Sequence, residues 1–333
     1  MAPIWRLKTF TVRHPTHATV TTQGRATWGI GVRITQSPQL TQLDQEQYIK
    51  ACVHKFLPDG IPDAFKKGSV TPTGAHASRI TDSPSTEHPD VLAWKHKCQQ
   101  VAGSLNWIAN FTRPDICFAL SNAAQHISTA NETLYNALIA ILAYLDNTAH
   151  YRMSYGPGQD RDARQMLLTH AELSVDPMGS FDCFGMTDTS HGGPRPMACA
   201  IVFAGGGPVA WKISRLTTTP MSSCEGEYDG ASRCATIIQW VMPVAKFLMT
   251  EARSPTLLFC DNKAACMLSE SNLSSKRMRH VATRLAYLKE RVSAGEILMT
   301  HLGTDGNLAD IGTKILSTKQ FHRFRPLLVR GDR

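Results

Sequence analysis

The sequence predicts an α/β protein: a mixed sheet flanked by helices, preceded by a mostly helical region. Two observations support this fold class. In the C-terminal half, short apolar runs typical of strands alternate with longer helical runs, which is the order of a sheet covered by helices. In the N-terminal half, residues 91–146 read as helices, and 333 residues are enough for about two domains.

The N-terminal elements follow from composition and capping residues. Residues 1–26 are rich in Thr, His and Arg without periodicity and predict a poorly ordered arm. A strand-like run at 27–35 and a helix ending near 56 come next, and the Pro, Gly and Ser residues of 58–90 predict a linker. Thr112–Asp115 (TRPD) predicts a helix start, because Pro and Asp are both favourable in a first turn.

The C-terminal half begins after a second predicted linker at 151–180, which is rich in Gly and Pro. Its strands are predicted at 181–187, 198–203, 209–213, 256–260 and 296–301. Its helices are predicted at 225–249, 281–293 and 307–315. The run 256–260 is continuously apolar, which is typical of a strand buried on both faces.

Composition indicates both the chemical class of the partner and the cellular compartment. The net charge is +8, with 19 Lys and Arg against 13 Asp and Glu in residues 181–333, which favours a polyanion such as nucleic acid. No apolar run is long enough for a transmembrane helix, and the N-terminus lacks the apolar core of a secretory signal. Nine cysteines without a CxxC pair predict reduced thiols in an intracellular protein that has no membrane partner.

Two aspartates follow predicted strands directly. Asp188 follows the first strand of the C-terminal half, and Asp261 follows 256–260. A single aspartate in this position is more often a cap, but ligands gather beyond the carboxyl ends of strands in open α/β sheets. Asp188 and Asp261 are therefore candidate ligands of one metal site.

The long helix offers a third carboxylate. Glu227 continues an apolar stripe with Ala231 and Cys234, whereas Glu225 shares a face with Asp229 that we expect to be solvated. A carboxylate on a buried face is costly unless it is paired or binds metal, so Glu227 is the preferred candidate. The alternative for Glu227 is a helix cap.

Asp310, near the start of the last predicted helix, is the fourth candidate, and its alternative role is to complement the helix dipole. Crowded carboxylates repel one another unless cations neutralise them. Oxygen ligands without a His or Cys cluster favour Mg²⁺ or Mn²⁺. Two such ions can activate water and stabilise a leaving oxygen in phosphodiester cleavage.

Six short motifs follow one another through residues 181–327. They are Thr187–Asp188, Gly205–Trp211 (GGGPVAW), Ser222–Tyr228 (SSCEGEY), Cys260–Asn262 (CDN), Arg277–His280 (RMRH) and Leu308–Lys314 (LADIGTK). In this order they resemble the ribonuclease H domain of copia-type long-terminal-repeat retrotransposon polyproteins. The resemblance implies a ribonuclease H-like, mixed five-stranded sheet flanked by helices.

Upstream, Gln47–Ile49, Gly103–Leu105 and Thr112–Ile116 resemble the C-terminal region of the copia-type reverse transcriptase. The resemblance implies a thumb- or connection-like remnant at 27–150, before the linker and a ribonuclease H-like domain at 181–327. The polymerase motif Tyr-x-Asp-Asp is absent, and the sequence contains no Asp-Asp. We therefore expect a chain that begins after the polymerase site, has no polymerase activity and has the missing polymerase portion as a partner.

The resemblance also implies an activity. The carried-over catalytic and metal-binding residues are Asp188, Glu227, Asp261 and Asp310. They predict an endonuclease that hydrolyses the RNA strand of RNA–DNA hybrids with two Mg²⁺ or Mn²⁺ ions, in the cytoplasm, the nucleus or virus-like particles. Ser190 and Ala282 stand where the family commonly has Asp, which affects the expected fine contacts but none of the four ligands.

A basic helix is the predicted track for the hybrid, and the alternative for this helix is an ordinary solvated face. Arg277, Arg284 and Arg291 recur every seven residues, a spacing suited to following phosphates. Asn262 and Ser223 are candidates for contacts to RNA sugar hydroxyls. The full set of predicted nucleic-acid-binding residues is Arg277, Arg279, His280, Arg284, Arg291, Asn262 and Ser223.

Two other functions are compatible with the sequence. The first is a catalytically inactive remnant that only binds nucleic acid, as the departures at Ser190 and Ala282 and the missing polymerase core allow. The second is an integrase-like site, because Asp261 and Glu296 lie 35 positions apart. This second alternative lacks the zinc module of His and Cys residues that would precede such a domain.

Overall fold

The computed structural model of the protein describes residues 26–66, 70–73, 80, 89–172, 183–190, 196–248, 255–270 and 282–331. Nearly all of the predicted arm, much of the 58–90 linker and the segment containing Arg277, Arg279 and His280 lie outside these residues.

The strands form two sheets, one small and one large. Their bounds are β1 (Trp28–Gly29), β2 (Val32–Gln36), β3 (Thr41–Asp44), β4 (Met153–Tyr155), β5 (Cys183–Thr189), β6 (Met197–Ala204), β7 (Gly207–Arg215), β8 (Thr256–Cys260) and β9 (Ile297–His301). The small sheet is antiparallel with the order β1-β2-β3-β4. The large sheet has the order β7-β6-β5-β8-β9; β5, β6 and β7 are antiparallel neighbours, and β5, β8 and β9 are parallel.

The helices lie mainly before and between the strands of the large sheet. Their bounds are α1 (Glu46–Phe56), α2 (Asp63–Lys66), α3 (Pro89–Phe111), α4 (Cys117–Ala124), α5 (Glu132–Asn147), α6 (Arg161–His170), α7 (Ser223–Leu248), α8 (Lys263–Glu270), α9 (Ala282–Ser293) and α10 (Thr318–Leu328). The prediction of a mixed five-stranded sheet with helices, after a mostly helical N-terminal part, is confirmed.

The large sheet is buried on both faces. In β8, Leu257 and Phe259 belong to one apolar core, and Leu258 and Cys260 belong to another. Successive side chains of a strand point to opposite faces, and every residue of β8 is buried. Both faces of the sheet must therefore be covered by other elements.

Helix α7 covers one face of the large sheet, where its Cys234 and Ile238 pack with Leu258. The N-terminal helices cover the other face, where Leu105 of α3 and Leu142 of α5 share a core with the sheet. This second core extends across the boundary that the sequence predicts at 151–180.

Hydrogen bonds join the N-terminal region to strand β7. The indole Nε1–H of Trp211 donates to the carbonyl oxygen of Ala109 at 3.0 Å. The hydroxyl of Tyr155 donates to the carbonyl oxygen of Pro208 at 2.8 Å. The tryptophan of the GGGPVAW motif thus anchors β7 to helix α3.

The segment predicted as a second linker contains regular structure. β4 pairs with β3 through Met153 and Leu43, and Leu167 of α6 is fully buried. The glycines that suggested a linker form the turn between β4 and α6: Gly156 has φ 146° and Gly158 has φ 76°, values that glycine adopts readily. Composition detects the turn but not the elements on either side of it.

Two other predicted elements differ from the structure. The run 27–35 is divided into β1 and β2 by a turn at Ile30 and Gly31, both with positive φ. The short helix predicted at 307–315 is a 3₁₀ helix, Leu308–Gly312. The sequence does not predict α10, in which a buried face formed by Phe321, Phe324 and Leu328 packs on the N-terminal core.

The TRPD motif forms a buried ion pair as well as a helix start. Pro114 begins a 3₁₀ helix, as its position in the motif predicts. The fully buried guanidinium of Arg113 donates to both carboxylate oxygens of Asp115, at 2.9 and 2.8 Å, and to the Thr148 hydroxyl at 2.7 Å. The Tyr144 hydroxyl donates to the same carboxylate at 2.7 Å, so this pair joins the 3₁₀ helix to α5.

We expect Arg113→Met to destabilise the protein strongly. The substitution leaves the carboxylate of Asp115 buried without its counter-charge, which costs about 3–5 kcal/mol of unfolding free energy. Urea unfolding followed by circular dichroism measures the loss. Lys66→Met is the control, because Lys66 and Asp63 form an exposed pair on α2. Equal stability of the Arg113→Met variant and wild type would contradict the structural role of the buried pair.

Candidate metal centre

Asp188 and Asp261 lie at the same edge of the large sheet. Asp188 is the penultimate residue of β5, one position inside the strand rather than after it, and Asp261 follows β8 directly. The two strands are parallel, with Thr187 paired to Cys260, so both aspartates lie at carboxyl ends. Asp188 and Asp261 are far apart in the sequence, and the pairing of β5 with β8 brings them to the same edge.

The four predicted carboxylates form two overlapping groups. Ligand atoms of Asp188, Asp261 and Asp310 all lie within 4.8 Å of one another. In the second group, which consists of Glu227, Asp261 and Cys260, the ligand atoms also lie within 4.8 Å of one another. Asp261 belongs to both groups and is therefore the residue that links them.

Glu227 extends from α7 to the end of β5 and is 1% exposed. Its Oε1 accepts a hydrogen bond from the backbone N–H of Thr189 at 3.1 Å, and its Oε2 lies 3.8 Å from Sγ of Cys260. Burial, followed by the negative charges of Asp188 and Asp261, raises the pKa of Glu227 to about 9. In the absence of a cation, Glu227 is therefore protonated at neutral pH.

Helix α7 approaches β5 closely because Gly230 has no side chain. A Cβ at this position would lie 2.6 Å from Oγ1 of Thr189 and 2.8 Å from Oγ1 of Thr187. The Thr189 hydroxyl donates to the carbonyl oxygen of Gly226 at 3.0 Å. These contacts carry Glu227 to the sheet edge.

Glu225 caps the helix, which is the role that the sequence leaves open for Glu227. Its Oε2 accepts from the backbone N–H of Met221, and its own N–H donates to the hydroxyl of Ser222. The face expected to be solvated is buried: Glu225 and Asp229 are each 3% exposed. Arg233 and Arg284 pair with Asp229 there and compensate for its charge.

Asp310 lies in the 3₁₀ helix Leu308–Gly312, which is held against β5. The side chain of Asn307 caps this helix by accepting from Ala309 N, and its Nδ2 donates to the Thr187 carbonyl oxygen at 3.0 Å. Burial and the negative charge of Asp188 raise the pKa of Asp310 to about 7, although Lys314 opposes the change.

Lys314 and Thr313 are functional candidates that sequence reasoning did not assign. The ammonium of Lys314 lies 2.8 Å from Oδ1 of Asp310 and 3.9 Å from Oδ2 of Asp188, and the Thr313 hydroxyl donates to Asp188. Burial lowers the pKa of Lys314, but bonding to Asp310 and the surrounding negative charge outweigh it and raise the pKa above its ordinary value. The available signal was the four-residue spacing between Asp310 and Lys314.

The donor atoms fit a hard divalent cation. Apart from one thiol, the two groups offer only carboxylate oxygens, which are the ligands that Mg²⁺ and Mn²⁺ prefer. Burial, followed by neighbouring negative charge, raises the pKa values of Glu227 and Asp310, and a bound cation would favour their ionised forms. A hydrogen bond with Cys266, together with burial, raises the pKa of Cys260 well above its ordinary value, so its thiol is a poor ligand at neutral pH.

The predicted nucleic-acid contacts are only partly described. Arg284 pairs with Asp229, and Arg291 pairs with Glu296 and Glu290, so both arginines already have counter-charges. Arg277, Arg279 and His280 lie outside the described residues.

The two polar candidates differ in their surroundings. The side-chain oxygen of Asn262 accepts from Ala265 N and caps α8, whereas Ser223 is exposed at the start of α7. Their contacts with RNA stay a prediction.

The structure does not bring Asp261 and Glu296 together. The carbonyl oxygen of Glu296 accepts from the backbone N–H of Thr256, the first residue of β8, while Asp261 follows the last. A five-residue strand separates these positions by about 16 Å. The Glu296 carboxylate instead accepts from Gln239 and Arg291, which removes the basis of the integrase-like alternative.

Known proteins similar to this chain are Pol polyproteins of transposons. The chain is 25% identical over 295 residues to the retrovirus-related Pol polyprotein from transposon RE2 of Arabidopsis thaliana, covering 89% of this chain and 18% of that protein. It is 29% identical over 224 residues to that of transposon RE1 from the same plant, covering 67% and 14%. The values for transposon TNT 1-94 of Nicotiana tabacum are 23% over 288 residues, covering 86% and 20%.

These matches establish a distant relationship over most of the chain. The chain is a distant homologue of copia-type Pol polyproteins and spans a fifth or less of the length of these relatives. No family model and no solved structure matches the sequence. Among the described residues, no helix is both long and apolar enough to cross a membrane.

We expect the metal-free protein to lose stability between about pH 5 and pH 9. The pKa of Glu227 is raised to about 9 in the folded state, so over this range the folded chain keeps a proton that the unfolded chain releases. Stability then falls with rising pH by up to about 1.4 kcal/mol per pH unit for this group. Thermal unfolding in EDTA at a series of pH values measures the slope.

Glu227→Gln should flatten this pH dependence and leave the protein more stable than wild type at pH 8. Glu132→Gln, an exposed change in the first turn of α5, is the matched control and should keep the wild-type slope. The same slope in wild type and Glu227→Gln would show that Glu227 ionises normally.

Replacing Lys314 should increase the dependence of stability on divalent cations. In Lys314→Met, Asp188 and Asp310 lose their nearby ammonium, so their repulsion is greater without metal and a bound cation relieves more of it. We expect a lower melting temperature in EDTA and a larger increase on adding Mg²⁺ than in wild type. Lys314→Arg, which keeps the charge, should behave as wild type; equal Mg²⁺ effects in all three proteins would contradict this role.

Proposed function

We propose that this chain carries a metal-dependent endonuclease site that hydrolyses the RNA strand of RNA–DNA hybrids. One observation carries the proposal: the carboxylates of Asp188, Glu227 and Asp310, which come from three different elements, gather around that of Asp261 at the carboxyl ends of two parallel strands. The side chains of Asp188, Glu227 and Asp310 are buried, where bringing several carboxylates together is costly unless a cation offsets their repulsion. The distant relationship to Pol polyproteins agrees with this reaction class.

The two groups of ligand atoms suggest which residues would hold each of two cations. Asp188 and Asp310 would hold one divalent cation, Glu227 would hold the other, and Asp261 would contact both. When bound, Mg²⁺ or Mn²⁺ ions at such a site supply an activated water and charge stabilisation at the leaving oxygen. The Thr189 N–H and the Thr313 hydroxyl orient Glu227 and Asp188, respectively.

Lys314 supplies a fixed positive charge at the rim of the site. Its side chain is 42% exposed, so the ammonium can contact both the carboxylates and solvent. Beside the acidic groups it reduces their mutual repulsion and attracts the phosphates of an approaching strand. We assign it to positioning and charge balance.

The net charge of the chain and its distant relationship to Pol polyproteins support the proposed substrate class. The net charge of +8 favours a nucleic acid over a small neutral substrate. Asn262, which follows Asp261 directly, and Ser223, the first residue of α7, are the candidates for reading the sugar hydroxyls that distinguish RNA from DNA. The remainder of a longer Pol polyprotein, including a polymerase portion, is the proposed partner.

Cleavage of a labelled hybrid tests the proposal. We expect the wild-type protein to cut the RNA strand of an RNA–DNA hybrid in Mg²⁺ or Mn²⁺ and not in EDTA, and to leave double-stranded DNA intact. Asp261→Asn should lower the rate at least a hundredfold, because it removes the carboxylate that both groups share. Gel electrophoresis of end-labelled RNA measures the products.

Asp305→Asn is the matched control, because it makes the same acid-to-amide change at an exposed residue of the 3₁₀ helix Thr304–Gly306. Its rate should equal that of wild type. Wild-type protein that binds the hybrid without cutting it at any Mg²⁺ or Mn²⁺ concentration would refute the nuclease and support an inactive nucleic-acid-binding remnant. Equal rates for wild type and Asp261→Asn would place the chemistry elsewhere.

A further inference from the structure

A second charged site lies between the loop before α6 and the C-terminal end of α10. It is a cavity of about 600 Å³, within the usual size of ligand pockets, lined by residues from 150–162 and 325–331. Its charged lining residues are Arg161, Asp162, Arg325 and Arg330. None of them belongs to the two carboxylate groups, so we call it the basic cavity.

Positive charge in the basic cavity exceeds negative charge. Three arginines line it with one carboxylate, that of Asp162, which lies 3.4 Å from Arg330. Within the described part of the chain, the side chain of Arg161 forms no ion pair. The Nε–H of Arg325 is buried and has no hydrogen-bond partner among the described residues. A buried donor without a partner is unfavourable, so the described residues do not use the full hydrogen-bonding capacity of Arg325.

Two of the three arginines, Arg325 and Arg330, are held in place before any ligand arrives. The guanidinium of Arg325 lies over the ring of Tyr151, 4.5 Å from its centre. Arg330 donates from Nε to the carbonyl oxygen of Pro326 and from Nη2 to that of Gln159, each at 2.7 Å. Less conformational freedom is then lost when these groups bind a partner.

The backbone also fixes the two sides of the basic cavity relative to each other. The N–H of Arg152 donates to the carbonyl oxygen of Arg330, and the reverse bond forms as well, at 2.8 and 2.9 Å. At Gly331, a Cβ would lie 2.7 Å from the Tyr151 ring, so only glycine permits this close approach. The cavity is thus a built feature of the junction between the N-terminal region and α10.

We propose that the basic cavity binds the phosphodiester backbone of a nucleic-acid strand, at a site separate from the carboxylates. Guanidinium groups present forked donors that match phosphate oxygens, and the cavity has unpaired donors to offer. On α9, by contrast, Arg284 and Arg291 already have carboxylate partners. This inference rests on the proposed function in one respect: the bound strand is taken to be part of an RNA–DNA hybrid.

Binding measured without cleavage tests the basic cavity. Fluorescence anisotropy of a labelled hybrid is recorded in EDTA at several salt concentrations for wild type, Arg161→Gln and Arg325→Gln. We expect each variant to bind roughly threefold to tenfold more weakly and the slope of log affinity against log salt to fall by about one, as for the loss of one phosphate contact. Arg161 is exposed, so its replacement leaves the fold intact.

Lys50→Gln is the matched control, since it removes one positive charge from an exposed position on α1 outside the cavity lining. It should leave affinity and salt slope at wild-type values. Affinities and slopes equal to wild type in both arginine variants would overturn the inference.

A second arm of the experiment distinguishes two sources of the phosphate. Inorganic phosphate and a mononucleotide are titrated into wild type and Arg161→Gln and followed by calorimetry. Arg161-dependent binding of either small anion, with hybrid affinity unchanged in the variant, would identify a small-anion site and overturn the inference. Because binding is read in EDTA, wild type that binds through the cavity but never cleaves would refute the nuclease and leave this site standing.

Discussion

Burial of the five-stranded sheet on both faces is the constraint on which the other features of this protein depend. Every residue of β5, β6 and β8 is buried, so the sheet needs one layer from α7 and a second from the N-terminal helices and α10. Alternation along β5 then sends Asp188 to the side of the 3₁₀ helix that carries Asp310. Glu227 reaches the same edge from α7 on the other side.

The same packing forces the carboxylates into an electrostatically unfavourable arrangement. Burial and mutual repulsion raise the pKa values of Glu227 and Asp310, while Lys314, Thr313 and the Thr189 N–H, all among the described residues, offset part of this cost. Elsewhere the chain compensates its buried charge: Asp115 has Arg113, and Asp229 has two arginines. The contrast separates a group of carboxylates that could hold a cation from ion pairs that stabilise the fold.

The N-terminal region is structurally part of this arrangement. Its helices share a core with the large sheet, Trp211 bonds to α3, and the basic cavity opens where the region meets α10. A distant homologue of transposon Pol polyproteins thus presents an acidic site and a basic cavity on one continuous scaffold. The first suits cations and the second suits phosphates, which is the combination that a nuclease needs.

The mixed sheet and the buried strand before Asp261 could be predicted from the sequence, because the length and period of apolar runs indicate strands and helices. Periodicity also placed Glu227 on the buried stripe of α7, although the face of Glu225 is buried as well. Only the tertiary structure shows which elements cover each face of the large sheet and of helix α7. The sequence predicts a solvated face for Glu225, but Asp229 on that face pairs with Arg284 of α9. Lys314 lies beside Asp188, which is 126 positions earlier in the chain. Contacts between distant segments depend on packing, which local patterns do not encode.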